Sequence, residues 1–394
     1  MDRADRRLLG LLAVTLAFEG YGRSVLSIAL DDVGTSLAAD APTLSYALAV
    51  VAAGALGVLF LGPLTDRFGR RRLLLTGLAG YSAFGAGTAT AVTVGALVLW
   101  QALARAFQEA TLAAVAVTAA EEMPALHRGR AQGILGIANN VGAGLAAFLF
   151  AFVAGLPGRW RALFALAALP LGALPLLARR VPESRRWLAR HEGRRGLPRA
   201  YAARLALALA VLFLGTSCEV AAFGFATYFP MNRYGWSPAQ ASAMIVLAGG
   251  AGLPGWWVGG TLADGLGRRP TTILFLAGLA AAEVAFFLGG EWCLWPGFAL
   301  MNFCQGGKTV ALRAWSTELF PTTVRATAAA WASAAATVGG MTGFGAAGAL
   351  TGATGALAPA LATVATAGLV AAGVAAFLPE TRGLELESIA PDVA

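Results

Sequence analysis

Charged residues interrupt several segments of the sequence that are otherwise apolar. Glu19 and Arg23 lie four residues apart, as do Arg105 and Glu109, and this spacing places two side chains on one face of a helix. Ionisable groups inside a membrane-spanning helix are costly, so they mark ion or proton sites by default. Both histidines fall in predicted loops. A proton relay inside these segments would therefore have to use carboxylates, unless both pairs are static and merely neutralise each other.

A second set of charges lies in the other half of the sequence. Glu219 has no basic residue within one helical turn, so it must be protonated or find a more distant partner. Lys308 is the available cation, and two interpretations stay open: it pairs with Glu219, or it is free to hold a carboxylate of a solute. Glu283 is predicted to make a structural polar contact. The predicted proton-coupling residues are Glu19, Arg23, Arg105, Glu109 and Glu219.

Uncharged polar and aromatic side chains in the same segments could bind a solute. Asn139 and Asn140 could hydrogen-bond a polar solute or hold two helices together. Trp256 and Trp257 could stack on an aromatic ring or simply fill space. The predicted solute-binding residues are Tyr21, Gln108, Asn139, Asn140, Trp256, Asn302, Gln305 and Lys308.

The sequence offers no pattern for a metal, a cofactor or an enzymatic reaction. Its three cysteines lie in apolar stretches without Cys-x-x-Cys spacing, which indicates free thiols rather than metal ligands. The glycine-rich stretch 339–348 is not followed by Gly-Lys-Ser/Thr, so it is not a phosphate-binding loop. We therefore expect no cofactor, no metal and no catalytic residues, and we do not expect an enzyme.

The elements that hold these side chains follow from the composition. The chain has 394 residues, 58% of them apolar and 13% charged, whereas ordinary globular domains are about 45–50% apolar and about 25% charged. A soluble protein of this length has too little interior for so much apolar surface, so lipid must cover part of it. We predict twelve membrane-spanning helices, near 8–30, 44–65, 73–93, 96–119, 132–155, 161–178, 205–229, 239–262, 271–289, 293–315, 327–350 and 356–378.

The basic residues are distributed unequally between the two sets of loops. Of the 29, 22 lie at the N-terminus, in loops after even-numbered spans or in the tail, whereas three lie in the opposite loops. Such an excess is the positive-inside pattern. Both termini are therefore expected in the cytoplasm, with the protein in the plasma membrane. The net charge of +8 then reflects topology and contact with lipid, and nucleic acid is not expected as a partner.

The sequence contains an internal repeat with a nearly constant offset. Three segments recur after 197 or 198 residues: 62–71 at 260–269, 121–128 at 318–325, and 182–185 at 379–382. An even number of spans per half keeps both halves in one orientation, so the repeats are parallel. The predicted fold is all-α, with two six-helix bundles. Its predicted divisions are an N-terminal bundle over 1–178, a linker over 179–204, a C-terminal bundle over 205–378 and a tail over 379–394.

The recurring segments place opposite charges at the predicted cytoplasmic ends of spans. Asp66 and Arg70 are four residues apart, as are Asp264 and Arg268. We predict that these charges close the cytoplasmic side in one state and separate in the other, rather than only capping helices. The predicted gate comprises Asp66, Arg70, Glu121, Arg128, Asp264, Arg268, Glu318 and Arg325.

These motifs carry a family resemblance. The pattern G-x-x-x-D-x-x-G-R-R after spans 2 and 8, within two six-span halves, resembles the major facilitator superfamily over essentially the whole chain. The E-x-x-P-x-x-x-R pairs, P-E-S-x-R-W-L at 182–188 and P-E-T-R-G at 379–383 are similar to the sugar-porter branch and its relatives that transport organic acids and vitamins. Arg105-x-x-Gln108 is similar to the start of the superfamily's R-x-x-Q-G pattern, with Glu109 in place of the glycine. The resemblance implies secondary transport by alternating access.

The sequence leaves the transported solute open. Buried glutamates favour proton-coupled symport, and Arg105 with Lys308 favours a small organic anion. A sugar uniporter or symporter is an alternative, although span 7 lacks the glutamine pair typical of sugar porters, and a drug–proton antiporter is another. A membrane sensor that binds a solute without moving it is the alternative from a different class. The expected partners are the solute, protons and the lipid bilayer, with the protein acting as a monomer.

Overall fold

The computed structural model is built of helices. It describes residues 3–57, 61, 70–122, 128–153, 156, 158–180, 201–320 and 325–382, and no β-strand occurs within those ranges. This confirms the all-α prediction.

Seventeen α-helices occur in the described ranges, and 3-10 or π turns join some of them. The α-helices are α1 Arg3–Ile28, α2 Leu30–Ser36, α3 Ala41–Ala53, α4 Arg70–Gly87, α5 Val94–Glu122, α6 Arg128–Phe152, α7 Arg159–Leu166, α8 Leu169–Arg180, α9 Ala202–Gly224, α10 Tyr228–Tyr234, α11 Pro238–Ala243, α12 Gly252–Gly265, α13 Arg268–Leu288, α14 Leu294–Glu318, α15 Arg325–Thr354, α16 Leu357–Ala365 and α17 Ala367–Ala375. The 3-10 helices are Gly54–Gly57, Thr88–Thr90, Gly249–Ala251 and Glu291–Cys293, and the π-helix is Met244–Ala248. Helical residues therefore occupy each of the twelve predicted spans.

Several of these helices have the length and composition of membrane spans. Among the described residues, seven helical segments are long and apolar enough to cross a bilayer, from Arg6–Ile28 to Leu357–Ala375. The pair Leu30–Ser36 and Ala41–Gly57, bent by 117°, would supply an eighth. Helices α5 and α14 have similar lengths, but each carries two charged residues in its interior. The candidate charges thus lie on helices that are otherwise built for lipid.

The chain divides into two compact units. The first contains residues 1–40, 50–192 and 237–242, and the second contains residues 41–49, 193–236 and 243–394. The predicted divisions at 178 and 204 stay a prediction.

Close approach of α1 and α6 is the main feature of the first unit. A Cβ at Gly20 would overlap the carbonyl of Asn139, and a Cβ at Gly142 would overlap the carbonyl of Ala17. Only glycine allows backbones to come this near, as in the small-residue interfaces of membrane helices. Around this contact the apolar core packs buried side chains of α1, α4 and α5, among them Leu12, Leu74, Tyr81 and Val115. The glycines therefore fix the side chains of α1 against those of α6.

The second unit uses the same device twice. Gly339 and Gly343 of α15 fit against the backbone of α9, while Gly255 and Gly259 of α12 fit against α14. A π-helix precedes α12, and such distortions occur frequently at functional sites. The apolar core of the second unit includes Val211, Leu276 and Trp315. Helices α9 and α14, which carry the charged candidates, are therefore each held by a glycine contact.

Candidate functional site

An ion-paired cluster lies within the first unit, between α1 and α5. Glu19 is fully buried, and Arg23 donates from Nε to Glu19 Oε1 at 2.8 Å. The guanidinium of Arg23 also reaches Glu109, with Nη2 3.0 Å from Oε1. Arg105 lies on the other side of Glu109, its Nε 3.6 Å from the same oxygen, which is too long for a hydrogen bond. Arg23 is thus the cation shared by two carboxylates, and Arg105 is held loosely.

Asn139 completes the coordination of Glu19 from α6. Its side-chain amide donates to Glu19 Oε2 and, at 3.3 Å, to the carbonyl of Leu16. Both Glu19 oxygens are therefore hydrogen-bonded, one by an arginine and one by an amide. The close contact at Gly20 brings Asn139 within reach. The two i,i+4 pairs predicted from the sequence form, but they belong to one network rather than two.

A second cluster lies within the second unit, between α9 and α14. The ammonium of Lys308 is paired with Glu219 Oε2, and the side-chain amide of Gln305 donates to Glu219 Oε1 at 3.1 Å. Of the two interpretations left open for Lys308, the structure forms the ion pair. The Lys308 side chain is only 7% exposed. Lys308 is therefore engaged in the ion pair with Glu219 in this structure.

The remaining predicted solute-binding residues have varied surroundings. Tyr21 is buried and donates its hydroxyl to the carbonyl of Leu163 at 2.7 Å, and Asn302 donates to the carbonyl of Phe298 in its own helix. Gln108 is buried beside Gly22, Trp256 packs on Gly306, and Asn140 is exposed on α6. Their roles in solute binding stay predictions. Asn139 and Gln305 are the two uncharged candidates that join the charged clusters.

A charge network connects the predicted gate residues of the second unit. Arg268 at the start of α13 pairs with Asp264 of α12 at 3.1 Å and with Glu318 at the end of α14, also at 3.1 Å. Three helix ends are thus tied by one guanidinium. The corresponding residues of the first half are outside the described part of the chain, either entirely, as Asp66 is, or in their side chains, as with Arg70, Glu121 and Arg128. The side chain of Arg325 is outside it as well.

The C-terminal tail adds two partners that the sequence analysis did not select. Glu380 accepts hydrogen bonds from the backbone N–H groups of Arg268 and Arg269 at 2.9 and 3.0 Å, and Thr381 donates to Glu318. Burial by itself would raise the pKa of Glu380, but backbone N–H donors hold that pKa below its usual range. Glu380 thus caps α13 where the helix dipole favours an anion. The signal was the recurrence of the Pro-Glu motif at 182–183 and 379–380.

Multiple apolar helices with ion-paired carboxylates inside them are typical of membrane proteins that move ions or solutes. The chain belongs to the Major Facilitator Superfamily, whose family model matches residues 12–292. This membership makes it a multi-pass membrane transporter and not an enzyme.

Characterised proteins resemble the chain over most of its length. A gallate transporter of Pseudomonas putida is 28% identical over 82% of this chain and 80% of its own. A 3-(3-hydroxy-phenyl)propionate transporter of Escherichia coli K12 is 26% identical over 97% and 96%. Among solved structures, the crystal structure of a D-xylose–proton symporter superposes with a TM-score of 0.78, covering 95% of this chain and 98% of that one, at 18% identity. That last likeness concerns the fold alone.

Proposed function

We propose that the protein is a proton-coupled symporter that moves a small organic anion, an aromatic or other carboxylic acid, across the plasma membrane by alternating access. One observation carries the proposal: each unit holds a carboxylate ion-paired to a basic side chain inside apolar helices. Such charges are retained in membrane helices where an ion or a solute must bind. The similarity to transporters named for gallate and 3-(3-hydroxy-phenyl)propionate supports an aromatic carboxylate as the solute.

Arg105 is the proposed first contact of the solute carboxylate. The Arg105 side chain is 25% exposed, and its Nε lies 3.6 Å from Glu109 Oε1, beyond hydrogen-bond distance, so a new anion can compete with Glu109 for this guanidinium. Guanidinium groups bind carboxylates through two parallel hydrogen bonds. Lys308, in contrast, is already paired with Glu219 within the second unit. The first cluster is therefore the proposed entry point for the anion.

Glu19 is the proposed coupling group, because its charge decides how Arg23 is shared. When Glu19 is ionised, Arg23 neutralises Glu19 and Glu109 together. When Glu19 is protonated, Arg23 pairs with Glu109 only. Because Glu109 is then neutralised more fully by Arg23, it attracts Arg105 less strongly. A freed Arg105 binds the solute carboxylate better, so proton binding promotes anion binding. This sequence of events gives symport.

The orientation follows from the distribution of arginine. The excess of basic residues in one set of loops supports termini in the cytoplasm. The network of Asp264, Arg268 and Glu318 then lies at the cytoplasmic ends of helices, where its opening and closing would gate access to the cytoplasm. The proposed working unit is a monomer.

Uptake into proteoliposomes tests the proposal. The wild-type protein is assayed with labelled gallate, 3-(3-hydroxyphenyl)propionate, a simple benzoate, xylose and chloramphenicol, with and without an inward proton gradient. We expect gradient-driven accumulation of aromatic acids, and loss of that accumulation in Glu19→Gln while exchange of solute across the membrane persists. Accumulation of xylose alone, or extrusion of chloramphenicol alone, would replace the organic-anion assignment. Uptake that is unchanged by the proton gradient and by the Glu19→Gln substitution would refute proton coupling.

A further inference from the structure

One buried carboxyl group of the second unit belongs to none of the ion pairs described above. Glu283 lies in the interior of α13, and its side chain is fully buried. Neither of its carboxyl oxygens has a hydrogen-bond partner among the described residues, and the nearby thiol of Cys218 donates to the carbonyl of Gly215 at 3.2 Å. Glu19 and Glu219, in contrast, each contact a basic side chain. The state of Glu283 therefore needs its own explanation.

Small residues on neighbouring helices account for this burial. Helix α14 approaches through Gly297, where an added Cβ would lie 3.2 Å from the backbone of α13. Helix α17 approaches through Gly368, where an added Cβ would meet Ala280 of α13 at 3.0 Å and the thiol of Cys218 at 3.1 Å. Ala280 is one turn before Glu283. The helices thus close around this turn of α13 and separate the carboxyl group from lipid and bulk water.

Among the described residues, Lys308 is the one cation that interacts with Glu283, and Lys308 already has a partner. The titratable groups that interact with Glu283 electrostatically are Cys218 and Glu219 on α9 and Cys304 and Lys308 on α14. Helices α16 and α17 carry no ionisable residue, and the one acidic residue of α12 lies in the gate network at the other end of α13. Lys308 is paired with Glu219. An ionised Glu283 would therefore be a buried anion beside an already neutralised pair, which is strongly unfavourable.

We propose that Glu283 is a proton-binding site that stores a proton while Lys308 is paired with Glu219. When the Lys308 ammonium moves from Glu219 to Glu283, the O–H bond of Glu283 breaks and its proton passes to the carboxylate of Glu219. Glu283 becomes the carboxylate paired with Lys308, and Glu219 becomes the neutral acid. The three groups sum to zero charge before and after, so the exchange never leaves a net charge inside the bundle.

The difference in exposure assigns the two carboxyl groups different tasks. The side chain of Glu219 is 19% exposed, whereas Glu283 is fully enclosed. Glu219 is therefore the group from which the proton can reach water, and Glu283 is the store behind it. This inference rests on the proposed function for the use of the proton, but the binding of the proton can be measured without any solute.

Infrared difference spectroscopy of the full-length protein in liposomes, at neutral pH and without solute, tests the site. A protonated carboxylic acid has a C=O stretching band that a carboxylate lacks. We expect such a band in the wild type, its loss in Glu283→Gln, and its retention in Glu291→Gln, which alters an exposed glutamate as a matched control. A band of equal strength in Glu283→Gln would overturn the proposal. Loss of the wild-type band on adding sodium would also overturn it, because the site would then hold a metal cation.

If Glu283→Gln does not fold, a second variant, Glu219→Gln, still tests the proposal. Glu219→Gln removes the partner of Lys308, so the ammonium becomes available to Glu283 and the acid band should be lost at the same pH. An unchanged band in folded Glu219→Gln would overturn the exchange of partners. Because no solute is present, failure to transport any acid would refute the proposed function while leaving this band in place, and the two failures are distinguishable.

Discussion

Glu19 of the first unit and Glu219 of the second lie on corresponding helices of the repeat, but their counter-charges differ in kind. Glu19 is paired with an arginine of its own helix, and that arginine also reaches Glu109. Glu219 is paired with a lysine from another helix and with the amide of Gln305. In the first cluster Arg23 is therefore shared between two anions, with Arg105 3.6 Å from one of them, whereas in the second Lys308 serves one anion.

The arginine of the first cluster and the lysine of the second are suited to different functions. A guanidinium stays charged at any physiological pH and holds two carboxylates through its planar set of donors. An ammonium is a compact charge on a flexible stem, and it can change partners by rotating a few bonds. The first cluster is thus suited to make a fixed arginine available to an anion when a proton neutralises Glu19. The second is suited to exchange one carboxylate for another.

Removing the shared cation should have the largest effect. Arg23→Gln leaves Glu19 buried without a counter-charge, and breaking a buried pair in this way costs about 3–5 kcal/mol. We expect a lower temperature of thermal unfolding in detergent and loss of proton-driven uptake. Arg233→Gln, at an exposed arginine, is the matched control and should behave as the wild type. If the two variants were equally stable and equally active, Arg23 would not be the organising charge of the cluster.

Removing both partners separates the two clusters. Lys308→Gln alone strands Glu219, whereas Lys308→Gln combined with Glu219→Gln should recover stability, with a coupling energy of about 0.5–3 kcal/mol in a double-mutant cycle. Arg23→Gln combined with Glu19→Gln should recover less, because Arg23 also serves Glu109. Thermal unfolding of seven proteins, namely the wild type, the four single variants and the two double variants, measures both cycles. Equal recovery in the two clusters would remove the distinction between a shared and an unshared cation.

The glycine contact that positions Asn139 can be tested next. Gly142→Ala would place a Cβ on the carbonyl of Ala17, and overpacking of this kind costs about 1–3 kcal/mol. Helix α6 should move away from α1, so Asn139 loses its hold on Glu19 and the dependence of uptake on pH shifts. Gly144→Ala, where an added Cβ meets nothing within 4 Å, should change neither property. A shift in pH dependence with Gly144→Ala as well would argue against the contact as its cause.

The smallest effect is expected at the partly exposed cap of α13. The pKa of Glu380 lies below its usual range in the folded protein, so the cap stabilises the fold above the unfolded pKa of about 4.3. That contribution is lost as the pH falls through the lower, folded value. The temperature of thermal unfolding should therefore fall more steeply between pH 6 and pH 3 for the wild type than for Glu380→Gln. Parallel curves would show that the hydrogen bonds to the cap do not contribute.

Sequence reasoning located the charged residues but not all of their partners. Spacing of four residues along one helix predicts the pairs of Glu19 with Arg23 and of Arg105 with Glu109, because both members share a face. The reach of Arg23 to Glu109 and of Asn139 to Glu19 depends on how helices pack, which the spacing does not contain. The same limit applies to Lys308, for which the sequence left a pair and a free cation equally open. In these two clusters, the pairs along one helix follow from the spacing, whereas the contacts between helices do not.

The repeat predicted the gate of the second half, but it did not predict the role of the tail. Arg268 and Glu318 were selected because the same charges recur in both halves, and they form an ion pair. Glu380 was visible as part of a recurring motif, yet its partners are backbone N–H groups, which have no signature in the sequence. The enclosure of Glu283 depends on Gly297 and Gly368 from two other helices. Neither of those glycines stands out in a chain that contains 50.

The cap on α13 also makes two distant positions depend on each other over evolutionary time. Gly267 has a φ of +114°, a conformation that favours glycine, and any Cβ there would lie 2.5 Å from Glu380. A lineage that loses the carboxylate relieves the crowding but still needs the backbone angle, whereas one that loses the glycine strains the backbone and must also move the carboxylate away from its N–H donors. Loss of Gly267 should therefore be tolerated less often than loss of Glu380.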